Sequence, residues 1–171
     1  MQIFKVISKL IDYPNKELME NLDSVIEFVK DSSEIDDSEK AAVMEFISWM
    51  GVHTETGLQQ TYVETFDMVP EHDLHITHHI FGDDNNRGPA LIDLSEHYKG
   101  EGFEVNDGEI PDFLPLILEY VSTLSEMESR IFLGDAKKVI KVIANNLEEA
   151  QSPYSKLIRI VEKRSYLAEA A

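Results

Sequence analysis

The stretch "EHDLHITHH", residues 71–79, holds four of the six histidines: His72, His75, His78 and His79. Imidazoles three or four positions apart on a helix share a face and can converge on one metal ion. No HExxH pattern is present, and a closed site would need carboxylates from elsewhere in the chain, so hydrogen bonding at the surface or between helices is the default reading. A metal-dependent hydrolase built on His75 and His79 remains a rival. The carboxylates Glu64, Asp67, Asp93, Glu109, Asp112 and Glu119 could supply an acid/base pair, but no nucleophile accompanies them. GxSxG, P-loop and dinucleotide fingerprints are absent. Arg87-Gly88 could receive an anion at a helix N-terminus, where free N–H groups and the helix dipole favour negative charge; Arg87 could equally fasten its loop to a carboxylate. No catalytic residue and no metal ligand is assigned, and binding is favoured over catalysis.

These residues sit on elements that the hydrophobic periodicity makes helical. Ile3, Val6, Ile7 and Leu10 define a helix over 2–11, which "DYPN" stops, because proline disfavours helical geometry in the residue before it. Leu18, Leu22, Val25, Ile26 and Val29 predict a single helix over 15–30. Ser38 is expected to cap a helix running to Met50, and Leu58, Tyr62 and Phe66 mark another over 54–66. A short helix over 74–81 and one bearing Leu91, Leu94 and Tyr98 follow. In "EIPDFLPLILEYV", residues 109–121, Pro115 falls in a first helical turn, where a missing N–H costs nothing, and Phe113, Leu116, Ile117, Tyr120, Val121 and Leu124 form one stripe over 112–124. Helices over 126–132, 135–150 and 153–167 complete the chain. No alternating β-branched run suggests a sheet, so the expectation is an all-α, single-domain bundle of about eight helices spanning residues 1–171.

The totals narrow the function. With no cysteine, disulfides, iron–sulfur ligation and thiolate zinc sites are excluded, and a cytoplasmic location follows most easily. A net charge of −18 repels phosphate backbones and anionic lipid, which argues against nucleic-acid partners and favours cationic ones. Apolar runs are far shorter than the roughly 20 residues that cross a bilayer, so direct membrane insertion is not expected. The N-terminal stretch "MQIFKVISKLIDYP" reads as mature structure, since its apolar residues are interleaved with lysines and no small-residue cleavage site follows.

The order and spacing of "LIDYPNKEL", "YVETFD" (62–67), "HIFGDDNNRGPALIDL" (79–94), "GEGFEV" after Tyr98, "EIPDFLPLILEYV" and "SPYSKLIRIVEK" resemble the nitrate reductase assembly chaperones. This is the NarJ or delta-subunit family, within the redox-enzyme maturation chaperones (TorD- and DmsD-like). The resemblance implies an all-helical cytoplasmic protein with no catalytic activity and no cofactor of its own. It implies a partner as well, the N-terminal segment of a molybdoenzyme catalytic subunit. That segment is held until the molybdenum cofactor is inserted, before membrane attachment or export, with cofactor-delivery proteins as further partners. Nitrate reductase leads as the client, with selenate, chlorate, dimethyl sulfide and ethylbenzene oxidoreductases behind. Family-like positions include Tyr62, Glu64, Phe66, Asp67, His79, Arg87, Tyr98, Glu109, Asp112 and Glu119. The family carries Glu where His78 stands and His where Phe81 and Phe113 stand, which leaves His78 and His79 to stand in for the lost imidazoles. Functions lodged in the long tail of some relatives are not expected.

A basic amphipathic segment needs an apolar groove and nearby negative charge. The helices over 54–67, 74–81 and 112–124 are expected to form that groove. Tyr62, Phe66, Phe113 and Tyr120 are its apolar candidates, although aromatic residues at helical spacing are more often core. Glu64, Asp67, Asp112 and Glu119 are the candidates for meeting basic groups. Charge reversal at Asp112 or Glu119 is expected to weaken binding without unfolding the chain. The competing non-enzymatic reading is a helical adaptor with an unrelated protein client.

Overall fold

A computed structural model describes residues 1–166; Leu167, the expected end of the last helix, lies outside the described residues. The described chain is all-α, with ten α-helices: α1 (Gln2–Ile11), α2 (Lys16–Glu20), α3 (Leu22–Asp31), α4 (Asp37–Gly51), α5 (Glu55–Tyr62), α6 (Ile76–Phe81), α7 (Arg87–Gly100), α8 (Leu114–Ser122), α9 (Glu126–Glu149) and α10 (Ser155–Arg164). No strand occurs among the described residues, only an isolated bridge between His75 and Phe113.

Helix α8 is the hub, with seven of its nine residues buried. Pro115 sits in its first turn as expected, but the helix opens at Leu114 rather than at residue 112. Asp112 belongs instead to an extended link whose backbone pairs with the segment before α6: Ile76 N donates to Asp112 O at 3.1 Å, and Leu114 N to Leu74 O at 2.8 Å. Helix α1 lies along α8, where Ser8 Oγ donates to the Pro115 carbonyl at 2.7 Å, and α9 packs along α10. A buried pair, Arg164 with Glu39, joins α10 to α4 through two hydrogen bonds of 2.9 and 2.6 Å. Removing one partner of such a pair leaves a buried charge uncompensated.

Several expected boundaries move. The single helix expected over 15–30 breaks at Asn21, which closes α2 by donating from its backbone N–H to Glu17 O and Leu18 O and from its side chain to Glu17 O. The Asn side chain competes for backbone acceptors that a continuing helix needs. Conversely, the helices expected over 126–132 and 135–150 are one helix, α9, running straight through Gly134. A mid-helix glycine costs only about 0.5–1 kcal/mol, and the buried stripe of Leu133, Ile140, Ile143 and Leu147 is continuous across it. Asp36, not Ser38, caps α4: its side chain accepts from Glu39 N at 2.9 Å while Glu39 accepts from Asp36 N at 3.2 Å. The break and the merger offset one another, and the described residues hold ten α-helices where a bundle of about eight was expected.

The helix expected over 54–66 is α-helical only to Tyr62. It then widens into a π-helical turn, Val63–Asp67, closed by Met68 N on Val63 O at 3.1 Å. A π turn takes in one more residue than an α turn and re-aims the side chains that follow. A short 3₁₀ turn, Pro70–His72, leads on to α6.

Candidate functional site

Where the end of α1, the π turn, the link before α8 and α8 itself meet, they enclose a cleft of about 540 Å³. Helix α1 contributes Ser8 and Lys9, with Asp12 just beyond it. The end of α5 gives Tyr62, and the π turn gives Asp67. The link gives Glu109, Ile110 and Phe113, and α8 gives Leu116 and Glu119. Glu109 is held in place by a turn in which Glu109 N donates to Asn106 O and Asn106 N donates to the Glu109 carboxylate at 2.9 Å. The turn passes through Gly108 at φ 91°, a region that side-chain-bearing residues avoid.

Four carboxylates, Asp12, Asp67, Glu109 and Glu119, line the cleft against one ammonium, Lys9. Lys9 Nζ lies 2.7 Å from Glu119, whose side chain is 34% exposed. Burial raises the Asp12 pKa; the Tyr13 N–H and Lys9 pull it down, and Glu119 and Glu109 add to the rise. Burial lowers the Lys9 pKa, but the hydrogen bond and charge of Glu119, with Asp12 and Glu17, outweigh it and leave a net rise. Burial leads the Asp12 rise and Glu119 leads the Lys9 rise, but the neighbouring carboxylates act in the same direction on both groups, as expected where a cation is stabilised.

The cleft has an apolar side as well. The Phe113 ring, half-buried, stacks on His75 with centroids 5.0 Å apart at 29°. Ile110 is 42% exposed, and Tyr13, 47% exposed and lining the neighbouring depression rather than the cleft, meets the buried Tyr62 ring edge-on at 5.4 Å. Burial pushes the Tyr62 phenol far above its usual range, so it stays neutral.

Behind Phe113 lies a polar network. Asp112 is 1% exposed, and its Oδ2 accepts from Thr77 N at 2.8 Å and from Thr77 Oγ1 at 2.5 Å. It thus caps the first turn of α6 from a distant segment, where the residue at the cap position, His75, makes no side-chain capping bond. Arg87 Nε donates to the same Thr77 hydroxyl at 3.0 Å, and Asp112 Oδ1 has no hydrogen-bond donor in the structure. The expectation that Asp112 stands beside Glu119 facing a ligand is corrected: Asp112 is buried and structural, because the link is extended where a helix was expected.

Three of the four clustered histidines turn to Asp73 and the fourth to a backbone carbonyl. His75 Nδ1 lies 2.7 Å from Asp73 Oδ1, and His78 Nδ1 approaches Asp73 Oδ2 at 2.6 Å without the alignment of a hydrogen bond. His79 Nε2 donates to the Asp73 carbonyl at 2.6 Å, and His72 Nδ1 to Thr65 O at 2.9 Å. The hydrogen bond that His75 donates to Asp73 raises the His75 pKa against its burial. Burial raises the Asp73 pKa, but the hydrogen bonds from His75 and the His78 contact overcome it and bring the carboxyl down to about 2. Among the described residues no three His, Asp or Glu side chains gather as metal ligands.

Of the expected site residues, Tyr62, Asp67, Glu109, Phe113 and Glu119 come together at the cleft. Phe66, Tyr98 and Tyr120 are core: Phe66 packs on Tyr154 at 4.8 Å, Tyr98 donates its hydroxyl to Pro111 O at 3.0 Å, and the Tyr120 hydroxyl meets His97 at 2.8 Å. Glu64 is exposed outside the cleft, accepting from Gln60 at 2.8 Å. Neither His78 nor His79 lines the cleft; the imidazole that does is His75. Lys9, Asp12 and Tyr13 were not singled out by sequence reasoning. Their signal was the charged and aromatic "KLIDY" at the end of an amphipathic helix, which becomes a wall only through packing on α8.

The sequence model of the family described as "Nitrate reductase delta subunit" matches residues 32–158. The chain is 27% identical over 158 residues to the nitrate reductase molybdenum cofactor assembly chaperone NarJ of Escherichia coli (strain K12), covering 92% of this chain and 67% of that protein. It is 25% identical over 158 residues to the probable chaperone of the same name from Bacillus subtilis (strain 168), covering 92% and 85%. A stretch of 100 residues is 33% identical to the nitrate reductase-like protein NarX of Mycobacterium tuberculosis (strain ATCC 25618 / H37Rv), covering 58% of this chain and 15% of that protein.

Proposed function

The chain belongs to the nitrate reductase delta subunit family, and from that premise we propose that it is a non-enzymatic assembly chaperone. It binds the N-terminal segment of a molybdoenzyme catalytic subunit, nitrate reductase first among the candidates, and holds it until the molybdenum cofactor is in place. The observation that carries this reading is the acidic cleft with its half-buried Phe113 and exposed Ile110. Lys or Arg side chains, or the free α-amino group, of the segment meet Asp67, Glu109 and Glu119. Apolar side chains of the same segment cover Phe113, Ile110 and Tyr13. Lys9 already occupies part of the cation seat through Glu119, so an incoming basic group must displace it, which keeps affinity moderate and release easy. No group here makes or breaks a bond. The protein acts by shelter, on the cytoplasmic side, before its client reaches the membrane; among the described residues no helix is long and apolar enough to cross one.

Calorimetry with a synthetic peptide of the nitrate reductase catalytic subunit's N-terminus tests the reading. Wild-type protein binds at low ionic strength, Glu119→Lys weakens binding by roughly tenfold or more, and Glu64→Lys, outside the cleft, leaves it unchanged. Equal binding by wild type and Glu119→Lys removes the cleft as the site. No binding by wild type at any salt concentration removes the chaperone reading.

A further inference from the structure

Lys9 is the one lysine or arginine that lines the cleft, and it also lines a neighbouring depression of about 290 Å³ together with Asp12, Asn15 and Glu17. Its ammonium therefore stands between two sets of carboxylates. On the cleft side is Glu119, 2.7 Å away. On the other side are Asp12 and Glu17, whose charges add to that of Glu119 in holding Lys9 protonated against its burial.

The two sides are unequally used. Glu119 is taken by Lys9. The Glu17 carboxylate makes no ion pair or hydrogen bond among the described residues, and the Asp12 carboxylate accepts only from the Tyr13 N–H, at 2.7 Å. The Lys9 side chain is 52% exposed, and exposed ion pairs of this kind hold weakly. A lysine carries its charge as a compact point on a flexible four-carbon stem, so it changes partner without help from the backbone. A swing from Glu119 toward Asp12 and Glu17 exchanges one weak pairing for another, and Glu119 is not left bare if a cation from outside takes the place vacated.

That exchange has a consequence for selectivity. An incoming ammonium that replaces the Lys9 ammonium at Glu119 swaps like for like, so charge at this seat alone captures little. A net gain requires what a client adds beyond it: further cations at Asp67 and Glu109, which have no basic partner among the described residues, and apolar cover over Phe113 and Ile110.

We propose that Lys9 is a displaceable internal competitor that sets the selectivity of the cleft: a client cation exchanges with it at Glu119, and Lys9 swings across the end of α1 to Asp12 and Glu17. This inference rests on the peptide-binding reading above and adds to it a specificity-determining residue and a second seat for that residue.

The test is calorimetric titration of the catalytic-subunit peptide into the full chain at low ionic strength. Lys9→Gln removes the competitor and tightens binding by about threefold or more. Lys9→Arg keeps the charge but grips Glu119 with a two-pronged guanidinium, and weakens binding by about threefold. Glu17→Gln removes the second seat and weakens binding by about twofold in wild-type protein, yet has no effect in the Lys9→Gln background. Lys9 and Glu17 are exposed, and a melting curve for each variant confirms that it folds; Lys9→Arg, which keeps charge and stem, carries the test alone if another does not. Binding by Lys9→Gln no tighter than by wild type overturns the inference. Equal binding by Lys9→Arg and wild type shows that the cleft responds only to summed charge and overturns it too, as does a Glu17→Gln effect of the same size in both backgrounds. All three outcomes leave the cleft as a peptide site, whereas failure of wild-type protein to bind the peptide at any salt concentration overturns both this inference and the reading beneath it.

Discussion

Asp112 holds the first turn of α6 through Thr77, and that task sets what its replacement does. Asp112→Ala leaves a buried N–H without an acceptor, at a cost of about 1–3 kcal/mol that urea unfolding reads directly. Asp112→Lys, expected from sequence alone to affect binding only, destabilises by more. His75 and Asp73 give a second residue-scale prediction. Asp73 titrates at about 2, below its ordinary value, so its stabilisation is present above the ordinary carboxyl range and is lost as pH falls toward 2. His75 titrates above its ordinary value, so the charged pair is complete below that value and is lost as pH rises through the raised one. The wild-type melting temperature therefore falls between pH 6 and pH 8 by more than that of His75→Asn; parallel pH profiles count against the pair. The residues that sequence placed at the site divide by burial. Glu109, Glu119 and Asp67 line the cleft, whereas Tyr98, a family-like position, and Tyr120 are buried in the core.

At the scale of elements, the helix stripes were legible wherever one face is buried. The bounds of α1 stand as read, and so does the middle of the α8 stripe, Leu116, Ile117, Tyr120 and Val121, while Phe113 and Leu124, expected at its ends, lie outside the helix and are half-buried. The break at Asn21 was not legible, since Leu18, Leu22, Val25 and Ile26 keep helical spacing across it. It is set by a side chain turning back on Glu17 O. The π turn carries no sequence signal either. Within it Phe66 packs on Tyr154, some ninety residues on, and Asp67 at its end lines the cleft. One side of the cleft, Ser8, Lys9 and Asp12, comes from α1 and its end, which meet α8 only in the folded chain. Because α8 holds that wall, Leu118→Ala, at a fully buried position on α8, costs about 2–5 kcal/mol in denaturant unfolding. A loss below about 1 kcal/mol contradicts the central place given to α8.

Over the whole molecule, the charge of −18 is not uniform in its effect. On α10 the basic residues are matched: Lys156 pairs with Glu45, Lys163 with Asp36 and Arg159 with Glu148 and Glu162. At the cleft the four acids face one lysine, so the unbalanced field is concentrated beside exposed apolar side chains. Net acidity and the absence of cysteine were plain in the sequence; the location of the excess was not, because pairing across helices decides it. The central claim is that this cleft captures the basic leading end of another chain by charge, and salt screens exposed charge over about 8 Å at physiological ionic strength. The most direct measurement is calorimetric titration of the catalytic-subunit peptide, and of the same peptide with its Lys and Arg replaced by Gln, at low and high salt. The account predicts that neutralising the peptide weakens binding by about tenfold or more at low salt and that the difference shrinks at high salt. Equal affinities for the two peptides at both salt concentrations contradict it.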